Sequence, residues 1–102
     1  MTPIVLIVNW VARRGHEEAV ERVLLAMIEL SREEPGCIRY DVYRSAVDKR
    51  CFLLVEIYRD QTGLEAHTAS EHFKHHVLGE AVPLLDSRDR RQFEILGQHK
   101  VG

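Results

Sequence analysis

The sequence predicts an α+β protein: a ferredoxin-like plait with a four-stranded antiparallel sheet and helices packed on one face. Two observations predict it. Short β-branched or alternating apolar runs are separated by segments in which apolar residues recur every three to four positions. The order of these segments is β-α-β-β-α-(α)-β, which is that of the plait. The chain has 102 residues, the size of one domain, so residues 1–102 are expected to form a single unit.

Residues 3–12 (PIVLIVNWVA) read as a strand buried on both faces, because neither alternate set is polar. Residues 16–34 read as a helix. Val20, Val23, Leu24, Met27 and Leu30 fall on one stripe, and Glu17 and Glu18 sit in the first turn, where the helix dipole favours them. Pro35-Gly36 ends it. Residues 37–44 (CIRYDVYR) and 50–59 (RCFLLVEIYR) read as a hairpin around a short loop. Residues 61–87 read as helix in two pieces, with Ser70 capping the second and Pro83 bending or ending it. Residues 91–96 (RQFEIL) read as the last strand.

A hairpin centred between Val47 and Asp48 sets Arg39 opposite Glu56, Asp41 opposite Leu54 and Cys37 opposite Tyr58. One sheet face then holds Arg39, Asp41, Tyr43, Glu56 and Tyr58. The other holds Ile38, Tyr40, Val42, Leu53, Val55 and Ile57 and no formal charge. This register keeps Cys37 and Cys51 too far apart for a disulfide. A single layer of helices covers one face of the sheet, so the second face calls for a partner, most simply another copy of the chain.

Composition narrows the function. The formal net charge is -2, with no basic excess to neutralise phosphates, so nucleic-acid binding is not expected. No apolar run reaches the roughly 18–20 residues of a membrane span, and the N-terminus lacks the features of a signal peptide. No membrane association is expected, and the expected compartment is the cytoplasm. Two cysteines are too few for a disulfide scaffold or a structural zinc site. The nucleophile-elbow, phosphate-loop and dinucleotide-binding motifs are absent.

The segment Glu34-Pro35-Gly36-Cys37-Ile38-Arg39-Tyr40-Asp41-Val42, followed by FLLVEIYRD from Phe52, and then Leu64-Glu65-Ala66-His67-Thr68-Ala69-Ser70-Glu71-His72-Phe73, resembles the antibiotic biosynthesis monooxygenase family. The resemblance runs in order from about Ile4 to Leu96. It implies ferredoxin-like protomers whose sheets pack into a homodimeric α/β barrel. It also implies a cofactor-independent monooxygenase acting with O2 on a small aromatic, a quinol or phenol. An isomerase of a small phosphorylated signalling compound belongs to the same family. A non-catalytic dimer that binds a small aromatic or heme is a third possibility for such a fold.

Oxygenation without a cofactor needs a base, a dry cavity and donors for a developing oxyanion. His67, His72 and His76 are the candidate bases, since an imidazole titrates near neutral pH. Glu56 is the candidate acid/base partner. Asn9 and Arg39 could hold an anionic oxygen, and Tyr58, Phe73 and His76 complete the expected substrate-binding set, the aromatics stacking on a ring. The resemblance places Glu56, Tyr58, His67, His72 and Phe73 in the family's helix-sheet cleft. A metal through His72, His75 and His76 is not expected, because three ligands on one helix rarely converge. Glu34 reads as a solvated helix end, and no cofactor is expected.

Overall fold

The computed structural model describes residues 2–97. Strand β1 (Ile4–Ala12) leads into helix α1 (Glu17–Arg32), and the hairpin β2 (Cys37–Arg44) and β3 (Cys51–Tyr58) follows. Helix α2 (Gln61–Ala69), a second helix α3 (Phe73–Ala81), a single 3₁₀ turn (Val82–Leu84) and strand β4 (Leu85–Phe93) complete the fold. The strands are ordered β2-β3-β1-β4, and every adjacent pair is antiparallel. This is the expected α+β ferredoxin-like sheet. Among the described residues, no helix is long and apolar enough to cross a membrane.

Local chemistry fixes the element ends. Gly15 takes the left-handed conformation (φ 86°) in the turn before α1. Glu17's own backbone N–H, and then the Gly15 N–H that donates to its carboxylate at 2.7 Å, hold the Glu17 carboxyl below its usual range. Asp60 caps α2 by accepting from the Gly63 N–H at 2.8 Å. Ser70 breaks the two helices apart and accepts from the Phe73 N–H at 3.2 Å. α3 is wound with five-residue hydrogen bonds, the Val82 N–H reaching the Val77 carbonyl.

One side of the sheet forms the core. Ile4, Leu6, Val8, Trp10 and Ala12 of β1 are buried there against Val20, Val23, Leu24 and Met27 of α1. Tyr40, Phe52, Leu54 and Tyr58 extend the same layer. The last strand lies earlier than expected, at Leu85–Phe93, so the predicted helix over 85–87 is corrected. Only Leu85 of β4 is buried, and an exposed strand of DSRDRRQ carries no alternating apolar signal. It is held by pairing with β1.

The β2–β3 register is also corrected. Cys37 faces Tyr58 as expected, but an irregularity absorbs Ile38, and Arg39 then pairs with Ile57 and Tyr40 with Glu56. Tyr40, Glu56 and Tyr58 therefore lie on the buried, helix-covered face. Arg39, Asp41 and Tyr43 share the opposite face with Val55 and Leu53, their strand partners. The expected register kept Glu56 off the apolar face. The fold buries it, and the Tyr58 hydroxyl of the same strand donates to it there at 2.7 Å. The cysteines are free, and no disulfide joins them.

Among the described residues, no helix covers the opposite face of the sheet. Val5, Ile7, Val11, Val55 and Ile57 line it with Leu53, Tyr43 and Phe93, the last three 36%, 54% and 47% exposed.

Candidate active site

The site forms where the end of α1, the α2–α3 junction and the buried face of β3 meet. Gly36 and Gly63 bring these elements together. A Cβ built on Gly36 would lie 2.7 Å from the Gly63 Cα, and one on Gly63 would lie 3.0 Å from the Gly36 carbonyl oxygen. Only two glycines allow this approach. The Arg59 N–H donates to the Gly36 carbonyl at 2.9 Å and fixes the turn from the other side. Glu34 precedes Gly36 by two residues, and His67 follows Gly63 by one helical turn on the buried side of α2. The glycine contact therefore sets Glu34 beside His67.

His67 is 2% exposed. Its ring lies 5.7, 5.1 and 5.3 Å from those of Tyr40, Tyr58 and Phe73. Its Nδ1 lies 2.9 Å from Glu34 Oε2. His72 Nε2 lies 2.5 Å from the same oxygen. One carboxylate thus accepts from two imidazoles. On its other side, His67 Nε2 is 3.8 Å from Glu56 Oε1. Tyr58 donates its hydroxyl to Glu56 at 2.7 Å. The chain of polar groups runs Tyr58–Glu56–His67–Glu34–His72.

Burial dominates the electrostatics. It pushes the Glu56 carboxyl up, opposed by the Tyr58 hydrogen bond and by the charges of His67 and Arg90. Burial likewise raises Tyr40 and Tyr58 well above the ordinary phenol range, with the Glu56 charge adding to it. Both tyrosines are therefore neutral hydrogen-bonding groups. The Cys37 thiol is pushed up to about 11 by burial and by the Glu34 charge, so it is not a thiolate nucleophile at neutral pH.

A cavity of about 230 Å³ opens beside this chain. Leu6, Val8, Trp10, Leu54, Phe73 and Val77 give it apolar walls, Glu56 and His67 form its polar end, and Arg88 and Arg90 stand on the β4 side. For scale, an apolar cavity of about 150 Å³ admits benzene.

The structure thus brings together His67, His72, Glu56, Tyr58 and Phe73 of the expected set. It does not bring in three others. Asn9 and Arg39 lie on the opposite sheet face, since Asn9 pairs with Leu53 and Arg39 with Ile57. Arg39 instead pairs with Asp41 at 3.2 Å. His76 sits on the outer side of α3, bonded to Glu80 at 2.6 Å beside a separate cavity lined by α1. Helical periodicity explains that outcome, as Val77 and Ala81 take the buried side. Sequence reasoning missed Glu34, Tyr40 and Arg90. The signal for Glu34 was its place two residues before the Pro-Gly turn.

A family model described as antibiotic biosynthesis monooxygenase matches residues 3–77. The chain belongs to this family. "Putative monooxygenase Rv0793" of Mycobacterium tuberculosis is 36% identical over 72 residues, covering 71% of this chain and 70% of that protein. The solved structure of Rv0793 superposes with a TM-score of 0.88 over 97% of this chain and 100% of that one, at 29% identity. The crystal structure of PA3566 from Pseudomonas aeruginosa gives a TM-score of 0.89 over 95% and 97% of the two chains, at 37% identity. The family match takes in Glu34, Glu56, Tyr58, His67, His72 and Phe73, all within residues 3–77.

Proposed function

We propose that this protein is a monooxygenase that oxidises a small phenol or quinol with O2, using His67 as general base. The observation that carries the reading is the Glu34–His67 pair at the polar end of an apolar cavity. Glu34 accepts from Nδ1–H at 2.9 Å, so the proton sits on Nδ1 and the Nε2 lone pair points toward Glu56. This is the logic of a carboxylate that fixes the tautomer of a catalytic imidazole. The 3.8 Å gap between Nε2 and Glu56 Oε1 is too long for a direct hydrogen bond. A substrate hydroxyl set there would give its proton to Nε2.

The phenolate so formed is electron-rich enough to pass an electron to O2, and recombination forms a C–O bond at a ring carbon. Loss of water leaves a quinone. One oxygen atom enters the ring and the other leaves as water, so a phenol bearing a ring C–H and one O2 give one quinone and one H2O. The substrate supplies all the electrons. Arg88 and Arg90 line the cavity together with Asp89, and the two guanidinium groups outnumber that carboxylate where an anionic oxygen would form. The name of Rv0793 and the family description agree with this class of reaction.

The bare sheet face supports a homodimer. Pairing two such faces would bury Leu53, Tyr43 and Phe93, which are exposed in the single chain, and a stable interface covers roughly 1,200–2,000 Å². Arg39 and Asn9 would then be interface residues.

The test is O2 uptake with a panel of hydroquinones and dihydroxynaphthalenes, with product identified by mass spectrometry in ¹⁸O2. One labelled oxygen in a quinone product is expected. Substrate change without O2 consumption would move the assignment to isomerisation. No turnover of any member by folded protein would refute the oxygenase reading.

A further inference from the structure

We infer that Glu34, His67 and His72 form a site for one divalent cation of the zinc type, and that filling it switches off His67 as a base. The regulatory half of this inference rests on the function proposed above; the binding half does not. The metal reading of the sequence looked along one helix, to His72, His75 and His76. The fold instead gathers ligands from three places: the residue pair after α1, the inner side of α2, and the residue before α3.

The ligand atoms already converge. Glu34 Oε2 lies 2.9 Å from His67 Nδ1 and 2.5 Å from His72 Nε2. The potential donor atoms of the three side chains all lie within 4.8 Å of one another. Two imidazoles and a carboxylate are a donor set that suits zinc and similar ions, with a position left for water. Both imidazole N–H bonds point at one carboxylate. A metal ion replacing those hydrogens would lie along the same nitrogen lone-pair directions. Donors about 2.0–2.2 Å from a tetrahedral ion stand roughly 3.3–3.5 Å apart, so the Glu34–His67 contact must widen by about half an ångström and the Glu34–His72 contact by nearly one. His72 is partly exposed at the α2–α3 junction, and it gives that opening room.

The second carboxylate supports the same site. A metal-bound histidine usually donates its other ring N–H to a carboxylate, which fixes its orientation. Glu56 stands 3.8 Å from His67 Nε2, on the far side of the ring from Glu34. Tyr58 holds Glu56 in place at 2.7 Å. Opening the cluster to admit an ion would carry the His67 ring toward Glu56 and shorten that 3.8 Å separation to hydrogen-bond length.

The consequence for catalysis follows from the tautomer. With Glu34 alone, the proton is on Nδ1 and Nε2 is free to take a proton. With a metal on Nδ1, the proton moves to Nε2 and is directed at Glu56. The cavity then meets an N–H donor where it had an acceptor. His72 likewise moves its proton from Nε2 to Nδ1, the two hydrogen bonds to Glu34 give way to metal–ligand bonds, and the cluster gains two positive charges from the ion.

A second group of donors, His75, His76 and Glu80, is exposed on α3, so the test removes it first. The His75→Ala/His76→Ala protein is titrated with Co²⁺ without substrate, following visible absorption, and then with Zn²⁺ in competition. One Co²⁺ per protomer is expected, displaced by Zn²⁺. His72→Gln should lower affinity at least tenfold, and Glu34→Gln likewise. Glu56→Gln should lower it about 10–100-fold, as loss of an outer carboxylate does. His72 is the most exposed of the three ligands and its variant is the least demanding on folding; circular dichroism on each variant confirms the fold. No binding to the double-alanine protein, or undiminished binding in His72→Gln, overturns the site. In the O2-uptake assay, Zn²⁺ should abolish turnover in step with occupancy, and chelator should restore it. Binding without inhibition overturns the switch. Binding by a protein that oxidises nothing refutes the oxygenase proposal and leaves the metal site standing.

Discussion

Glu34→Gln separates an orienting role for this carboxylate from a packing one. The amide keeps the size and the hydrogen-bonding reach of the side chain but lacks the charge. Glu34 accepts from His67 Nδ1 at 2.9 Å and His72 Nε2 at 2.5 Å, so it has only acceptor duties. A glutamine has one acceptor and one donor group. One of the two imidazoles must then accept from the amide. If that one is His67, its proton moves to Nε2 and the base is lost. General-base catalysis contributes about 10²–10⁴-fold, which is about 3–5 kcal/mol of barrier at 1.36 kcal/mol per decade. The stability cost should be smaller, about 1.5–3 kcal/mol for hydrogen bonds to a charged group. Turnover by O2 uptake and thermal melting are measured on one preparation, with chelator present. The expected result is a fall in kcat of at least 100-fold with a folded protein. A variant that keeps kcat within about threefold of wild type, with an intact fold, would refute the orienting role and with it the assigned tautomer.

Four further outcomes are expected. His67→Ala should lower kcat by about 10²–10⁴-fold, while a purely structural histidine would cost about 0.5–3 kcal/mol of stability and leave kcat intact; kcat and Tm together decide. Gly36→Ala places a methyl group 2.7 Å from the Gly63 Cα; the strain should cost about 1–3 kcal/mol in denaturant unfolding and weaken activity by parting Glu34 from His67, whereas a wild-type Cm and rate would contradict the glycine contact. The Glu56 carboxyl is raised above 4.5 by burial, so its stabilising contribution is present below pH 4.5 and is lost as pH rises through the raised value; the wild type should lose stability relative to Glu56→Gln over that rise, and parallel curves would show that Glu56 is not so perturbed. The native protein should sediment as a dimer at micromolar concentration, and Leu53→Asp on the bare face should shift it toward monomer; a wild type that sediments as a monomer would refute the interface.

The sequence by itself determined the element order, the plait and the membership of the family. Those rest on local signals: the apolar stripe of α1, the Pro-Gly stop, and the E-P-G, E-x-Y-x-D and H-x-x-S-x-H-F residues. The resemblance also implied that Glu56, Tyr58, His67, His72 and Phe73 share one cleft. Three things were decided only in three dimensions. The hairpin register depends on an irregularity at Ile38 that no residue pattern announces, and a shift of one residue moves every side chain to the other face. That shift took Arg39 out of the site and put Tyr40 in. The last strand, Leu85–Phe93, has almost no apolar residue on either face, so only its backbone pairing with β1 marks it as a strand. And Glu34, read as a solvated helix end, became the centre of the site because Gly36 and Gly63 let two backbones touch. Contact between residues 27 positions apart in the chain is a tertiary fact. That contact sets the Glu34 carboxylate 2.9 Å from His67 Nδ1.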